Sequence, residues 1–357
     1  MQRAEFAEVR TRDLPPTPLE AGHARIRIDT FALTTNNITY AVFGDAMQYW
    51  NFFPSDEPSI WGCIPVWGFG DVVETTVDSC TVGERLYGFW PMASELVVEP
   101  GRSDGRGFTD MAAHRAPMAG AYNRYQRVAT DPVYAADREP QQMVLYPLFF
   151  TSFLIDDFFA AQDDFQADQI IVSSASSKTA IGVAFLAHAR GRRVVGLTSS
   201  RNRDFVAGLG IYDEIATYDD LDSVPATPSV FVDMAGNQDV VRQVHTRGAE
   251  TLRHSMVVGG THWDHESDPD AGALPGPAPA FFFAPSQIAQ RTAEWGRDEF
   301  DRRTGGAWDI YSHWTDGWLR LETATGEDAV RSVYAQLLAG TSDPRTGFIG
   351  SLPPRAS

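Results

Sequence analysis

Cysteine is nearly absent: Cys63 and Cys80 are the whole complement, too few for a disulfide framework or a four-thiolate zinc site. Positive charge is scarce as well, with 29 Lys+Arg against 47 Asp+Glu and a formal net charge of −18. An excess of that sign argues against nucleic acid or an anionic membrane as the main partner, since both are polyanions. The sequence suggests no apolar run of bilayer length and no basic-then-apolar N-terminal leader. No Gly-x-Ser-x-Gly elbow supports a serine hydrolase. With 357 residues, 43% hydrophobic and 21% charged, what is left is a soluble, cytoplasmic, globular enzyme large enough for two domains.

Glycine is missing where it is most expected. "IIVSSASSKTAIGVAFLAHARGRRVVGLTSSRNR", residues 170–203, has the outline of a nucleotide-binding strand–loop–helix–strand unit. Glycines at such a turn let the backbone approach the phosphates, and the helix N-terminus attracts their charge. Here the turn reads "SSASSKTA". Ser174, Ser177, Lys178 and Thr179 could supply hydroxyl and ammonium donors in their place, and Ala180 is an accepted substitute for the last glycine. A P-loop is excluded, because its two glycine positions carry Val172 and Ser177. Two readings stay open: a retired cofactor site, or dinucleotide binding in altered form.

The second strand ends "GLTSSRNR". Enzymes preferring the non-phosphorylated cofactor place an acid there, on the adenosine ribose. Ser199, Ser200, Arg201 and Arg203 stand there instead, a suitable receptor for a 2′-phosphate. The expected cofactor is therefore NADPH.

Along the chain, residues 25–100 read as short strands broken by Gly, Pro, Asn and Asp, as in a barrel or rolled sheet. Residues 101–142 are polar and weakly periodic, in the manner of an ordered insert. From Tyr146 to about Ala284, apolar strands alternate with helices, which implies a parallel sheet covered on both faces. The end reads as strand, helix and strand. Aromatics cluster in "YWNFFP", "VWGFG", "GFWP", "LFFTSF" and "FFFAP". They fit core packing, an oligomer contact or a flat apolar pocket wall.

"TTNNITY", "IPVWGFGDVVET", "VGERLYGF", "ASELVVEP", "LYPLFFTSF", residues 170–203, "VFVDMAG", "VVGG" and the closing "AVRSVYAQLLAGTSDPRTGFIGSL" occur in the order found in the medium-chain dehydrogenase/reductase superfamily. The chain resembles its zinc-independent quinone and enoyl reductases, as a divergent branch of unknown function. That resemblance implies an α/β fold in which a chaperonin-10-like rolled β-barrel is interrupted by a doubly wound Rossmann domain, with the active site in the cleft between them. The expected boundaries are 1–144 (insert about 101–142), 145–313 and 314–357. Zinc-dependent relatives carry Gly-His-Glu where "VWGFG" offers Trp67, so no metal is expected. "THWDH" (261–265) is read as a polar loop.

The resemblance also supplies candidate residues. Tyr40 lies in the segment that borders the nicotinamide in similar reductases, and Tyr49 near their catalytic tyrosine. Asn37 matches the segment's usual Asn, Thr151 the cofactor-side threonine, and Asp233 and Gly236 the strand end beside the nicotinamide. His262 and Trp263 follow a strand at the carboxyl edge of the parallel sheet, which faces the ligand crevice. Tyr40, Tyr49 and His262 compete as proton donor. Arg124, in "AYNRYQR", is a candidate substrate anchor, with Tyr122, Asn123 and Tyr125 beside it. The expected function is NADPH-dependent, metal-independent reduction of an apolar enone, quinone or ketone by a homodimer. The alternatives are a lyase or hydrolase using Lys178 and His262, including a Ser174–Lys178 nucleophile, and a non-enzymatic NADPH- or quinone-binding protein.

Overall fold

A computed structural model of the chain describes residues 1–15, 18–258 and 274–353. The chain divides into two compact units, Met1–Pro147 with Leu319–Ser357, and Leu148–Trp318.

In the first unit, β1 (Ala24–Leu33) leads into α1 (Thr35–Val42), then β2 (Pro65–Thr75), β3 (Arg85–Pro91) and β4 (Glu95–Val98). The segment 101–142 is ordered. It contributes most of β5 (Pro100–Asp104), then β6 (Gly107–Asp110), the single turn α2 (Gly120–Asn123) and β7 (Arg124–Arg127). Its polar composition hid these strands, because β5 and β6 form a hairpin whose outer strand is largely exposed. β1 alternates buried and open positions along its first half, as a strand covered on one face must.

The long helix α3 (Glu139–Ala161) follows, so Tyr146 lies in a helix and the strand–helix alternation starts only after it. This helix also corrects the expectation that no segment has bilayer length and apolarity: Ala136–Ala161 meets both criteria. Its side chains show it to be a core helix. Phe149, Leu154, Ile155 and Phe159 are buried. Asp156 and Asp157 on the same helix are ion-paired with Arg190 and Arg291.

The second unit continues with β8 (Gln169–Val172), α4 (Lys178–Ala189), β9 (Arg193–Thr198), α5 (Arg203–Gly208), β10 (Glu214–Thr217), β11 (Ser229–Asp233), α6 (Gln238–Arg247), β12 (Leu252–Val257), β13 (Ala280–Phe281), α7 (Ala284–Trp295) and α8 (Arg297–Trp314). Its six strands pair in the order β10-β9-β8-β11-β12-β13, every pair parallel. This is the doubly wound arrangement, with the direction of winding reversing between β8 and β11. Helix α4 is followed by Gly191 at φ +74, the left-handed exit glycine permits.

β14 (Arg320–Thr325), α9 (Glu327–Leu338) and β15 (Thr346–Ser351) return to the first unit. Its nine-stranded sheet runs β14-β15-β1-β2-β3-β7-β6-β5, with β4 also on β1. β1 pairs with β2 along its length, with β4 near its start and with β15 near its end. One strand serving two neighbours on the same side in this way is what rolls the sheet.

Close packing in the second unit depends on Gly182, in α4. A Cβ there would lie 2.5 Å from the Ser152 Oγ of α3. Ser152 cannot yield easily, since its one hydroxyl proton is shared between Thr179 O at 2.8 Å and Leu148 O at 2.9 Å. Gly182→Ala is expected to cost about 1–3 kcal/mol as an overpacked helix contact, read as a lower thermal midpoint.

Candidate functional site

The first unit gathers phenols. The capping box at Thr34 and Asn37 starts α1 and fixes its rotation, and Tyr40 follows one turn later on the buried side. Tyr49 begins a short turn, Tyr49–Asn51, and its ring packs on Tyr40 at 4.6 Å between centroids. From the insert, Tyr122 reaches the same place: its hydroxyl stands 3.3 Å from that of Tyr49. Trp67 closes the group, stacked on Tyr87 and lying 5.9 Å from Tyr122. The buried Trp67 Nε1 lies beside the Tyr40 hydroxyl and has no other partner among the described residues. Phe52 and Phe89 form the inner wall.

Burial, the largest influence on each, holds the pKa values of Tyr40, Tyr49 and Tyr122 above that of a free phenol. The three are therefore neutral O–H donors throughout the neutral range. Neutral donors in an apolar surround are suited to polarising a carbonyl or receiving an oxyanion, and to delivering a proton afterwards.

Two other predicted residues of this unit have local partners. Asn37 accepts from Thr34 N at 2.7 Å and donates to Pro65 O at 3.0 Å, joining α1 to β2. Arg124 is ion-paired with Asp104 of the β5–β6 hairpin. Arg115, which the sequence did not single out, is the fully buried cation of this region. It binds Asp110 Oδ2 at 2.9 Å, the Tyr125 hydroxyl at 2.8 Å, Asn123 Oδ1 at 3.0 Å and Tyr122 O at 2.7 Å.

In the second unit, the turn without glycines is built. Ser174 takes the left-handed conformation, φ +51, where glycine would be free of strain. Two tyrosines hold it: Ser174 N donates to the Tyr218 hydroxyl at 3.0 Å, and the Tyr212 hydroxyl donates to Ala175 O at 2.8 Å. Asn202 donates to Ser176 Oγ at 2.9 Å. Ser177 caps α4 through Ala180 N, which leaves Lys178 and Thr179 in its first turn. Lys178 is the only lysine in the sequence, placed where a helix dipole opposes a cation and favours an anion. Ser152 of α3, next to the half-buried Thr151, binds Thr179 O and so fixes α3 against the start of α4.

At the end of β11, Asp233 accepts from Ser173 Oγ at 2.7 Å and from the N–H groups of Ala235 and Gly236. It thereby ties the ends of β8 and β11 together and caps the turn in which Gly236 has φ +66. Ser199, Ser200, Arg201 and Arg203 lie just past β9. Arg201 and Arg203 are exposed, and neither has an ion pair among those found for the described residues, although most arginines here do. Ser200 leans on Asp219 at 3.4 Å. Thr198, at the very end of β9, buries its Oγ1 without a partner among the described residues. His262 and Trp263 lie outside the described residues. Among the described residues, no three of His, Cys, Asp and Glu gather as a metal-binding group.

The rolled nine-stranded sheet, interrupted by a doubly wound six-stranded one, is the fold of the medium-chain dehydrogenases/reductases. Solved structures agree at low identity. CurA from Vibrio vulnificus in complex with NADPH superposes with a TM-score of 0.56 at 13% identity, covering 96% of this chain and 94% of that one. The JamJ enoyl reductase gives 0.56 at 10%, covering 96% and 94%. The CurF cyclopropanase of curacin A biosynthesis gives 0.54 at 12%, covering 95% and 94%. Within that fold, the chain belongs to the family described as "Protein of unknown function (DUF2855)", whose sequence model matches residues 31–343. No curated protein matches the sequence. Since a reductase and a cyclopropanase share this fold, chemistry must be argued from the site.

Proposed function

We propose that this protein is an NADPH-dependent, metal-independent reductase of an apolar enone, quinone or ketone. The observation that carries the cofactor assignment is the set of cations at the strand ends of the second unit. In a chain of net charge −18, the only lysine opens α4, and Arg201 and Arg203 stand exposed past β9 with no ion pair among the described residues. Lys178, Ser177 and the first turn of α4 would hold the pyrophosphate, and Arg201 and Arg203 the 2′-phosphate. When bound, the cofactor supplies the hydride. The phenols of the first unit would hold the carbonyl oxygen and deliver the proton. A homodimer through β13, whose Phe281 is 42% exposed, is part of the same proposal.

The single lysine makes a direct test possible. Acetylation with an amine-reactive ester, followed by peptide mass analysis, is expected to modify Lys178 in the free protein and to be blocked by NADPH. Arg201→Ala with Arg203→Ala is expected to weaken NADPH binding about 10–100-fold, the loss of charge-assisted hydrogen bonds. The same pair should leave NADH binding nearly unchanged. Asp219→Asn is expected to act in the opposite direction by removing a carboxylate from beside the phosphate. If NADPH neither protects Lys178 nor binds, the cofactor assignment is wrong.

A further inference from the structure

The amide nitrogens of the serine-and-lysine turn fall into two groups. Those of Ser174, Ala175, Ser177 and Ala180 donate within the protein, to the Tyr218 hydroxyl, Leu197 O, Ser174 O and Ser177 Oγ. Those of Ser176 and Thr179 have no acceptor among the described residues. Where these two point depends on Ser174, at which the chain turns with φ +51. That conformation sets a Cβ against the following carbonyl oxygen, a crowding glycine does not have. A serine therefore stays there only if its surroundings hold it.

Tyr218 reaches it from the far side of the sheet edge, 44 positions along the chain. Its hydroxyl accepts from Ser174 N at 3.0 Å and lies beside the Ser174 hydroxyl. Tyr218 is itself firmly placed. It follows β10 directly, its main-chain N–H donates to Thr198 O at 3.0 Å, and its ring packs on the apolar core formed by the sheet and α6. Room for the turn comes from Gly196 of β9, where a Cβ would stand 2.8 Å from the Tyr212 ring and 3.0 Å from the Ala175 Cβ. Resting on the cofactor assignment above, we infer that Tyr218 is a positioning residue for the pyrophosphate. It takes the place of the absent turn glycine by holding Ser174 left-handed, which presents the open amides of Ser176 and Thr179 to the phosphates.

The hold on Ser174 is read without any ligand. Deuterium uptake by the amides of residues 174–177 is expected to be about tenfold faster in Tyr218→Phe than in wild type, the net worth of one lost hydrogen bond. Uptake elsewhere in the second unit should stay the same. NADPH binding is expected to weaken about tenfold in the same variant. Adenosine 2′-monophosphate, which lacks the pyrophosphate and would meet only Arg201 and Arg203, should bind as before.

Two backgrounds separate the conformation from the side-chain contact. In Ser174→Gly the left-handed turn no longer needs support, so adding Tyr218→Phe should weaken NADPH binding no more than about threefold. In Ser174→Ala the hydroxyl is gone but the Cβ stays, and the full penalty should persist. Unchanged uptake at 174–177 in Tyr218→Phe overturns the inference. So does an equal loss for both ligands, or the same penalty in all three backgrounds, each the mark of a merely structural tyrosine. Faster uptake in a protein whose wild type binds neither ligand leaves the hold on Ser174 standing and overturns the cofactor assignment.

Discussion

Tyr49→Phe is expected to lower turnover of an enone about 10²–10⁴-fold, the usual worth of a positioned general acid, with NADPH affinity unchanged. Tyr49 is favoured over Tyr40 on geometry. Its hydroxyl has a second hydroxyl 3.3 Å away, that of Tyr122, whereas Tyr40 lies against Trp67 and Asn36. Tyr40→Phe should therefore cost less, acting on the orientation of the carbonyl more than on the proton. Burial raises both phenols, so the proton-bearing form persists to higher pH than for a free tyrosine. The alkaline limb of the kcat profile is accordingly expected above about pH 10. Stability follows with the same sign. The buried phenols stay protonated in the folded state, while the unfolded chain ionises near pH 10, so stability is full below that pH and falls as pH rises past it. A pH–rate profile with a limb near neutrality that persists in Tyr49→Phe would point to another donor.

Arg115→Met is expected to destabilise the first unit by about 3–5 kcal/mol, the cost of leaving one member of a buried ion pair alone. The side chains of Arg115 and Asp110 are 1% and 3% exposed, so solvent cannot replace the lost partner. Pairing it with Asp110→Asn should recover part of the loss by removing the stranded charge. Recovery will be incomplete, because Asp110 also accepts from Glu99 N and Ala112 N. Denaturant unfolding of the single and double variants reads this directly. If Arg115→Met unfolds at the wild-type midpoint, the network is ornamental and the placement of Tyr122 needs another cause.

Much of the second unit is legible in the sequence because its signals are local. The apolar runs at 169–172, 193–198 and 229–233 are short, bounded and separated by helical segments, and Gly191 marks a helix end. The serine-and-lysine turn is visible too, though its support is not. Tyr212 and Tyr218 belong to the segment around β10, far along the chain, and only the parallel pairing of β9 with β10 brings their hydroxyls to Ala175 and Ser174. A motif defined by glycines gives no hint of what props up a turn that lacks them.

The first unit divides the same way. The sequence by itself determined that Tyr40 and Tyr49 follow the first strand, that the chain is acidic, and that Lys178, Arg201 and Arg203 fall at a helix start and just past a strand end. Those facts depend on residue type and short spacing. Tertiary structure alone decided that Tyr122 meets Tyr49 across 73 positions. It also decided that Arg115 is buried while Arg124, in the same insert, turns out to Asp104. An insert of polar residues has no periodicity from which to read its inward face, and the antiparallel pairing of β7 with β3 and β6 is what sets it.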